Sequence, residues 1–320
     1  MKKPVRVGLG LLLVTLMVVV GCQSNTRDTV TIFHAGSLGV PFQAATRAFQ
    51  EIHPDVKFET ESAGSRTTIR KVTELGKLAD IIGSSDYGAI EQLMFPEFAD
   101  WYIIFVSNQM VIAYTDASQY SGEINRDNWY QILTREGVEY GHANPDADPC
   151  GYRTLMVWQL AEQYYVEPGL YDKLVKNRPD KNIRPKEVEL IALLQSGDLD
   201  YAFEYRSVAQ QHGLKFVELP PQIDLSDVKY NEFYAAAKVE VAGREPGITQ
   251  TQTGQAILYA VTIPKNAPQA DLAIAFLEFL LGPEGRAIME ENGHILIVPA
   301  ITNDRQKVPL ALRGYVVEIG

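Results

Sequence analysis

The tripeptide Ala-Gly-Ser occurs twice near the beginning of the chain, and both copies are candidates for binding an anion. They lie at residues 35–37 and 63–65, and each follows a predicted strand and precedes a predicted helix. At such a junction backbone N–H groups and the positive end of a helix point at a ligand, glycine permits close approach, and serine adds a hydroxyl donor. Ordinary N-capping by the serines is the alternative. Because the tripeptide recurs in matching contexts, we predict an anion-binding cradle formed by Gly36, Ser37, Gly64 and Ser65.

Two carboxylates further along the chain are candidates for a different kind of contact with a ligand. Asp148 precedes Pro149, a residue that suits the first position of a helix, so Asp148 is a predicted N-cap. Glu204 lies at the end of a predicted strand, and its simplest alternative role is a surface pair with Arg206. Either carboxylate could instead face a cleft. Asp146 is two residues from Asp148, and the sequence leaves the choice between these two aspartates open.

Strands and helices alternate along the chain, which predicts an α/β fold with mostly parallel sheets and helices on both faces. The helices show apolar residues on one face. A polar stretch at 240–254 is predicted to be rich in loops. The predicted strands are 29–33, 56–61, 79–83, 138–142, 200–203, 215–219 and 256–263, and the predicted helices are 40–52, 68–78, 127–133, 152–165 and 185–195.

This order of elements predicts two α/β domains. The strands near 111–114 and 259–263 are candidate crossovers between the domains. Domain I would consist of residues 29–112 and 255–320, and domain II of residues 113–254. A cleft between two such domains is a preferred place for a ligand.

The first 28 residues have the order of a targeting segment followed by a tether. Three basic residues (Lys2, Lys3 and Arg6) precede an apolar run at 7–20 that is too short to cross a bilayer comfortably. Small residues then precede Cys22, which resembles a site of lipid attachment. We predict a lipoprotein signal peptide at 1–22 and a polar tether at 23–28. A plain signal peptide or an anchor helix is the alternative.

Net charge and cysteine content exclude several classes of function. The net charge is −11, so the phosphate backbone of a nucleic acid would be repelled. The chain contains two cysteines, and a lipid on Cys22 leaves Cys150 alone, which excludes a disulfide framework. Cys150 is either a reactive thiol at the start of a helix or a buried structural residue.

Seven short segments, spread over essentially the whole chain after residue 22, form a recognisable set. They are Phe33-His34-Ala35-Gly36-Ser37-Leu38, Arg70-Lys71-Val72-Thr73-Glu74-Leu75-Gly76-Lys77, Asp148-Pro149-Cys150-Gly151-Tyr152-Arg153, Glu204-Tyr205-Arg206-Ser207-Val208-Ala209, Glu218-Leu219-Pro220-Pro221, Thr262-Ile263-Pro264-Lys265-Asn266-Ala267 and Ile297-Val298-Pro299-Ala300. Together they resemble the tungstate/molybdate-binding proteins of archaeal-type ABC importers.

The resemblance implies a type II periplasmic binding protein fold with the ligand in the cleft between two domains. It implies that backbone N–H groups and the serines of both Ala-Gly-Ser loops hold the oxyanion. By motif match, Asp148 and Glu204 would reach the tungsten or molybdenum atom and complete six-coordination. It further implies a monomer with no cofactor and no enzymatic activity. The protein would lie outside the cytoplasm, anchored to the membrane by a lipid on Cys22, and its partners would be an ABC permease and its ATPase.

Two other functions remain open at this level. One is a binding protein for sulfate, phosphate or ferric ion, and the other is a hydrolase on the same fold. Two carboxylates beside a tetrahedral dianion would repel it, unless its central atom accepts further oxygen donors. Hexavalent tungsten and molybdenum can do so, whereas sulfur and phosphorus cannot easily. The sequence does not rank tungstate against molybdate.

Overall fold

The computed structural model of the protein describes Met1, residues 28–245 and residues 247–318. The predicted signal segment with Cys22, and the tether up to residue 27, lie outside the described residues. The strands are β1 (Thr29–Ala35), β2 (Lys57–Ala63), β3 (Ile81–Ser84), β4 (Ile103–Ser107), β5 (Met110–Tyr114), β6 (Tyr140–Ala143), β7 (Ile183–Arg184), β8 (Tyr201–Tyr205), β9 (Lys215–Glu218), β10 (Lys238–Ala242), β11 (Thr249–Thr253), β12 (Leu258–Thr262), β13 (Ile295–Thr302) and β14 (Val316–Glu318).

The helices cover the faces of two sheets. They are α1 (Gly39–Ile52), α2 (Ser65–Thr73), α3 (Tyr87–Met94), α4 (Trp129–Leu133), α5 (Pro149–Tyr164), α6 (Leu170–Asn177), α7 (Glu189–Ser196), α8 (Arg206–Gln211), α9 (Asn231–Tyr234), α10 (Ala270–Leu281) and α11 (Pro283–Glu291). Short 3-10 turns occur at Gly36–Leu38, Asp180–Asn182, Val228–Tyr230 and Leu310–Leu312.

The first sheet has the strand order β14-β13-β4-β12-β3-β1-β2. Strands β2, β1 and β3 run parallel, whereas β12 pairs antiparallel with both β3 and β4. Within this sheet the predicted parallel pairing therefore holds for the β2-β1-β3 part and for the edge pair β13-β14, whereas the pairings of β4 and β12 are antiparallel. Strand β3 is buried along its whole length, as expected for a strand covered by helices on both faces.

The second sheet has the strand order β7-β6-β8-β5-β9. Strand β6 pairs parallel with β7 and β8, and β5 pairs antiparallel with β8 and β9. The chain passes from the first sheet to the second between Ser107 and Met110, and it is back in the first sheet at Leu258. The domain limits at residues 112/113 and 254/255 stay a prediction.

The stretch at 240–254 differs from the sequence prediction. Instead of a loop it contains most of an antiparallel hairpin formed by β10 and β11, in which Val239 pairs with Gln252 and Val241 with Gln250. Val239 and Val241 are buried, but the opposite strand reads Thr-Gln-Thr-Gln-Thr. A strand this polar lacks the hydrophobic alternation on which sequence-based prediction of strands depends.

In the described ranges, no helix is long and apolar enough to cross a membrane.

Candidate ligand-binding site

Polar groups from both sheets meet at the carboxyl ends of parallel strands. From the first sheet come the loops that follow β1, β2 and β3, and from the second come the loops after β6 and β7 and the end of β8. In open α/β sheets, ligands bind outside the carboxyl ends of the strands, where helix N-termini also converge. All six candidate residues predicted from the sequence lie in this region.

The first Ala-Gly-Ser loop places Ser37 in a buried turn directly after β1. Its hydroxyl accepts a hydrogen bond from the Tyr259 hydroxyl at 3.0 Å. Tyr259 in turn accepts one from the side-chain amide of Asn108 at 3.1 Å. The N-cap of this turn is Ala35, so Ser37 does not cap it.

The second loop brings Ser65 to the first position of α2, with Gly64 as the N-cap. Ser65 therefore does not cap its helix either. Its hydroxyl accepts a hydrogen bond from the Ser85 backbone N–H at 3.0 Å and lies 3.1 Å from the Ser85 hydroxyl. Ser85, which follows β3, thus adds a third serine to the site that sequence reasoning missed. The capping interpretation is wrong for both predicted serines, whose hydroxyls lie within the site and form hydrogen bonds there.

Gly64 has no room for a side chain because the opposite half of the protein approaches it. A Cβ at this position would lie 2.4 Å from the Ala147 carbonyl oxygen and 2.9 Å from Cβ of Asp148. The Thr67 backbone N–H also donates to the Ala147 oxygen, at 3.3 Å. The second loop therefore packs directly against the segment that carries the candidate aspartate.

Asp148 is the N-cap of α5, as predicted, and its Oδ1 accepts a hydrogen bond from the Cys150 N–H at 2.8 Å. Its Oδ2 accepts a longer hydrogen bond from the Glu187 N–H, at 3.3 Å. Asp146 is exposed, and its carboxylate accepts from the Ala242 N–H of the β10–β11 hairpin at 2.7 Å. Of the two aspartates, Asp148 is the one buried at the strand ends.

Glu204 is fully buried on β8, and neither carboxylate oxygen accepts a well-formed hydrogen bond in the described part of the chain. It does not pair with Arg206, whose Nε lies 3.6 Å from the Glu218 carboxylate. Burial raises the pKa of Glu204, and the neighbouring Asp148 carboxylate raises it further. An isolated buried carboxylate is costly unless something else coordinates it.

Glu187 is a third carboxylate at the site, and the sequence analysis did not select it. It follows β7 and is buried, and its Oε1 accepts a hydrogen bond from the Ser37 N–H at 2.6 Å. Burial raises the pKa of Glu187, and the charges of Asp148 and Glu204 add to this rise. Its position at a strand-to-helix junction, which it shares with Asp148, is a signal in the sequence. The predicted helix from residue 185 conceals this signal, because α7 begins only at Glu189.

Arg153 supplies a buried positive charge behind the site. It donates to the Ser85 carbonyl oxygen at 2.7 Å and to the Tyr205 hydroxyl at 2.8 Å, and its Nη2 lies 3.7 Å from the Asp86 carboxylate. It therefore connects the loop after β3 to the end of β8. The guanidinium offsets the negative charge of the buried Asp86 carboxylate.

Cys150 is buried, and its thiol donates to the Phe203 carbonyl oxygen at 3.6 Å. Burial raises the pKa of Cys150, and the carboxylates of Glu204 and Asp148 raise it further. A thiolate is therefore disfavoured, which argues against a reactive cysteine.

A family model described as bacterial extracellular solute-binding protein matches residues 30–294 of the chain. The chain belongs to this family. It is thus a solute-binding protein and not an enzyme, which excludes the hydrolase alternative.

The relatives of the chain include an uncharacterized protein and a protein with named ligands. An uncharacterized solute-binding protein of Petrotoga mobilis is 55% identical over 286 residues, which is 89% of each chain. The molybdate/tungstate-binding protein WtpA of Pyrococcus abyssi is 41% identical over 312 residues, again 89% of each chain. These identities confirm the family resemblance that the sequence motifs predict.

Solved structures show the same fold. The periplasmic molybdate-binding protein of Azotobacter vinelandii superposes with a TM-score of 0.58 at 17% identity, covering 84% of this chain and 99% of that chain. At this identity the likeness concerns the fold alone, and it confirms the predicted two-domain type II periplasmic binding protein class.

Proposed function

We propose that this solute-binding protein captures tungstate or molybdate between its two domains and delivers it to an ABC importer. The named ligand of the Pyrococcus abyssi relative supports this assignment. So does the geometry, because both Ala-Gly-Ser loops face buried carboxylates across the cleft. Domain I would hold Gly36, Ser37, Gly64 and Ser65, and domain II would hold Asp148 and Glu204.

The observation that carries the proposal is the buried Glu204 carboxylate, which lies close to Asp148 and accepts no well-formed hydrogen bond in the part of the chain that the structure describes. Such a pair would repel any ordinary anion in a poorly hydrated cleft. It becomes favourable when the ligand contains a Lewis-acidic atom with free coordination positions. Tungstate and molybdate provide such an atom, and the two carboxylates would raise its coordination from four to six.

The same groups would reject plain tetrahedral anions. Sulfate and phosphate match tungstate in shape, but they cannot accept two further oxygen donors and would leave both carboxylates uncompensated. Ferric ion also fits poorly, because the described residues contain no group of three or more His, Cys, Asp or Glu residues arranged to hold a metal ion.

Competition calorimetry at fixed salt concentration tests the proposal. Tungstate should bind the purified protein, and sulfate in large excess should not displace it. The double variant Asp148→Asn, Glu204→Gln should reduce the difference in affinity between the two anions, chiefly by weakening the binding of tungstate. Displacement of tungstate by a comparable concentration of sulfate would show that the site recognises charge and shape alone.

The proposal includes a location outside the cytoplasm, on the membrane surface. Lipid attached to Cys22 would keep a monomeric carrier near its permease and ATPase, and stable anchoring would take more than one acyl chain. Cells that express the Cys22→Ser variant should release the protein from the membrane fraction. Retention of this variant in the membrane would instead indicate an uncleaved anchor helix.

A further inference from the structure

The carboxylate of Glu187 lies against the backbone of the first Ala-Gly-Ser loop. Its Oε1 accepts the Ser37 backbone N–H at 2.6 Å, although the two residues are 150 positions apart in the sequence. A Cβ on Gly36 would lie 2.8 Å from Oε1 and 2.9 Å from Oε2. The carboxylate therefore rests on the bare backbone of Gly36, where glycine allows an anion to approach most closely.

The second oxygen of Glu187 is poorly satisfied. Oε2 is buried and accepts no well-formed hydrogen bond in the described part of the chain, and its side-chain neighbour is the Asp148 carboxylate, itself an acceptor. An acceptor that is buried without a hydrogen bond costs free energy, so this contact is weaker than a fully satisfied one. A group held in this way can be replaced by a ligand that satisfies the same donors better.

We propose that Glu187 is an internal competitor for the oxyanion: its carboxylate binds the first loop in the ligand-free protein, and the ligand must displace it. This inference rests on the proposed function of the site. Ser37 follows a strand of the first sheet and Glu187 follows a strand of the second, so their contact joins the two halves across the cleft. In the ligand-free protein, the Glu187 side chain would then hold the two halves together.

An internal competitor increases the selectivity of the site among anions. At the first loop, sulfate would form only the hydrogen bonds that Glu187 loses. The net free energy gained by displacing Glu187 would therefore be small. Tungstate or molybdate would gain two metal–oxygen contacts, from Asp148 and Glu204, in addition to the same donors. Glu187 thus lowers the affinity for every anion, and the anions that remain bound are those that use the other two carboxylates.

Amide hydrogen exchange of the Ser37 backbone in the purified full-length chain tests the contact without any ligand. In the parent protein this N–H should be protected when tungstate is absent. Glu187→Ala should remove the protection, and tungstate should restore it. Glu187→Gln retains an oxygen that can accept the hydrogen bond, so most of the protection should remain. Equal protection in the parent and in Glu187→Ala would overturn the proposal.

Calorimetry with sodium tungstate provides the second test. Glu187→Ala should bind tungstate about tenfold more tightly than the parent, because one hydrogen bond no longer has to be broken first. The affinity of Glu187→Gln for tungstate should lie between those of the parent and of Glu187→Ala. The matched control is Glu189→Ala, which removes the same charge two residues away at the start of α7 and should leave the affinity unchanged.

The outcomes separate this inference from the proposed function. If the parent protein does not bind tungstate, the proposed function fails, while the exchange experiment still reports on the contact between Glu187 and Ser37. If the parent binds tungstate and Glu187→Ala binds it less tightly, Glu187 holds the ligand and does not compete with it. Thermal unfolding of each variant establishes that it is folded before either comparison is made.

Discussion

The Arg153 guanidinium donates to the hydroxyl of Tyr205 at 2.8 Å, and both side chains are buried. Tyr205 is the residue after Glu204, and the same Nη1 atom of Arg153 also donates to the Ser85 carbonyl oxygen. This contact therefore joins the end of β8 to the loop after β3. Its Nη2 atom lies 3.7 Å from the buried Asp86 carboxylate, so the contact also fixes a positive charge beside a negative one.

Replacing Arg153 should weaken both folding and ligand binding. Arg153→Lys keeps the charge but cannot reproduce the planar set of donors, and we expect a loss of about 2 kcal/mol in the free energy of unfolding. Urea unfolding measures this loss. Arg135→Lys is the control, since Arg135 forms an exposed pair with Glu123, and it should change little. Equal effects at the two positions would contradict the role assigned to Arg153.

Neutralising either candidate ligand should weaken tungstate binding. Glu204→Gln and Asp148→Asn should each cost more than about 1 kcal/mol, because a contact to a metal atom exceeds an ordinary neutral hydrogen bond. Asparagine preserves the N-cap of α5, so the effect of Asp148→Asn is not one of lost capping. Asp146→Asn should have a much smaller effect in the same calorimetric measurement. A larger loss from Asp146→Asn would reverse the choice between the two aspartates.

The glycine of the second loop should matter more than its serine. Ser65→Ala removes one hydroxyl and should cost about 1 kcal/mol of binding free energy, because the backbone donors survive. Gly64→Val should cost more, since its Cβ would lie 2.4 Å from the Ala147 carbonyl oxygen and keep the two halves apart. Gly122→Val is the control, because nothing lies within 4 Å of a Cβ there. Equal losses from Ser65→Ala and Gly64→Val would argue against close approach of the backbone.

Two buried histidines should make the fold less stable in acid. Burial lowers the pKa of both His142 and His294 to about 4 from the usual 6.5. The unfolded chain therefore takes up protons between these values while the folded chain does not. The free energy of unfolding should fall as the pH falls from 6.5 towards 4, by up to about 3 kcal/mol for each histidine.

The variant His294→Phe isolates one of these contributions. Phenylalanine keeps an aromatic ring beside Tyr259, whose ring centroid lies 5.3 Å from that of His294. Urea unfolding at pH 7, 6 and 5 should show a smaller loss of stability in the variant than in the parent. The parent and the variant are compared at each pH, because buried carboxylates such as Glu204 also titrate. Since the pKa of Glu204 is raised, its contribution to stability changes with pH in the opposite direction. Identical pH profiles would show that the pKa of His294 is the same in the folded and the unfolded protein.

Local patterns in the sequence determine much of this protein. A run of β-branched residues predicts β1, an aspartate before Pro149 predicts the start of α5, and a glycine–serine pair after a strand predicts a turn with free N–H groups. Each of these features depends on neighbours within a few residues. The family resemblance is also contained in the sequence, and the relatives confirm it.

Only the tertiary structure decided which groups meet. The contact of Glu187 with Ser37, and that of Arg153 with Ser85, join residues that are 150 and 68 positions apart. No local pattern encodes such a pair, because it depends on how two sheets face each other. The β10–β11 hairpin is a similar case: its polar strand is held by pairing with its neighbour and not by a hydrophobic face of its own. Burial decided the remaining chemistry. Glu204, whose simplest role in the sequence is a surface pair with Arg206, is fully buried in the structure, and burial raises the pKa of its carboxylate.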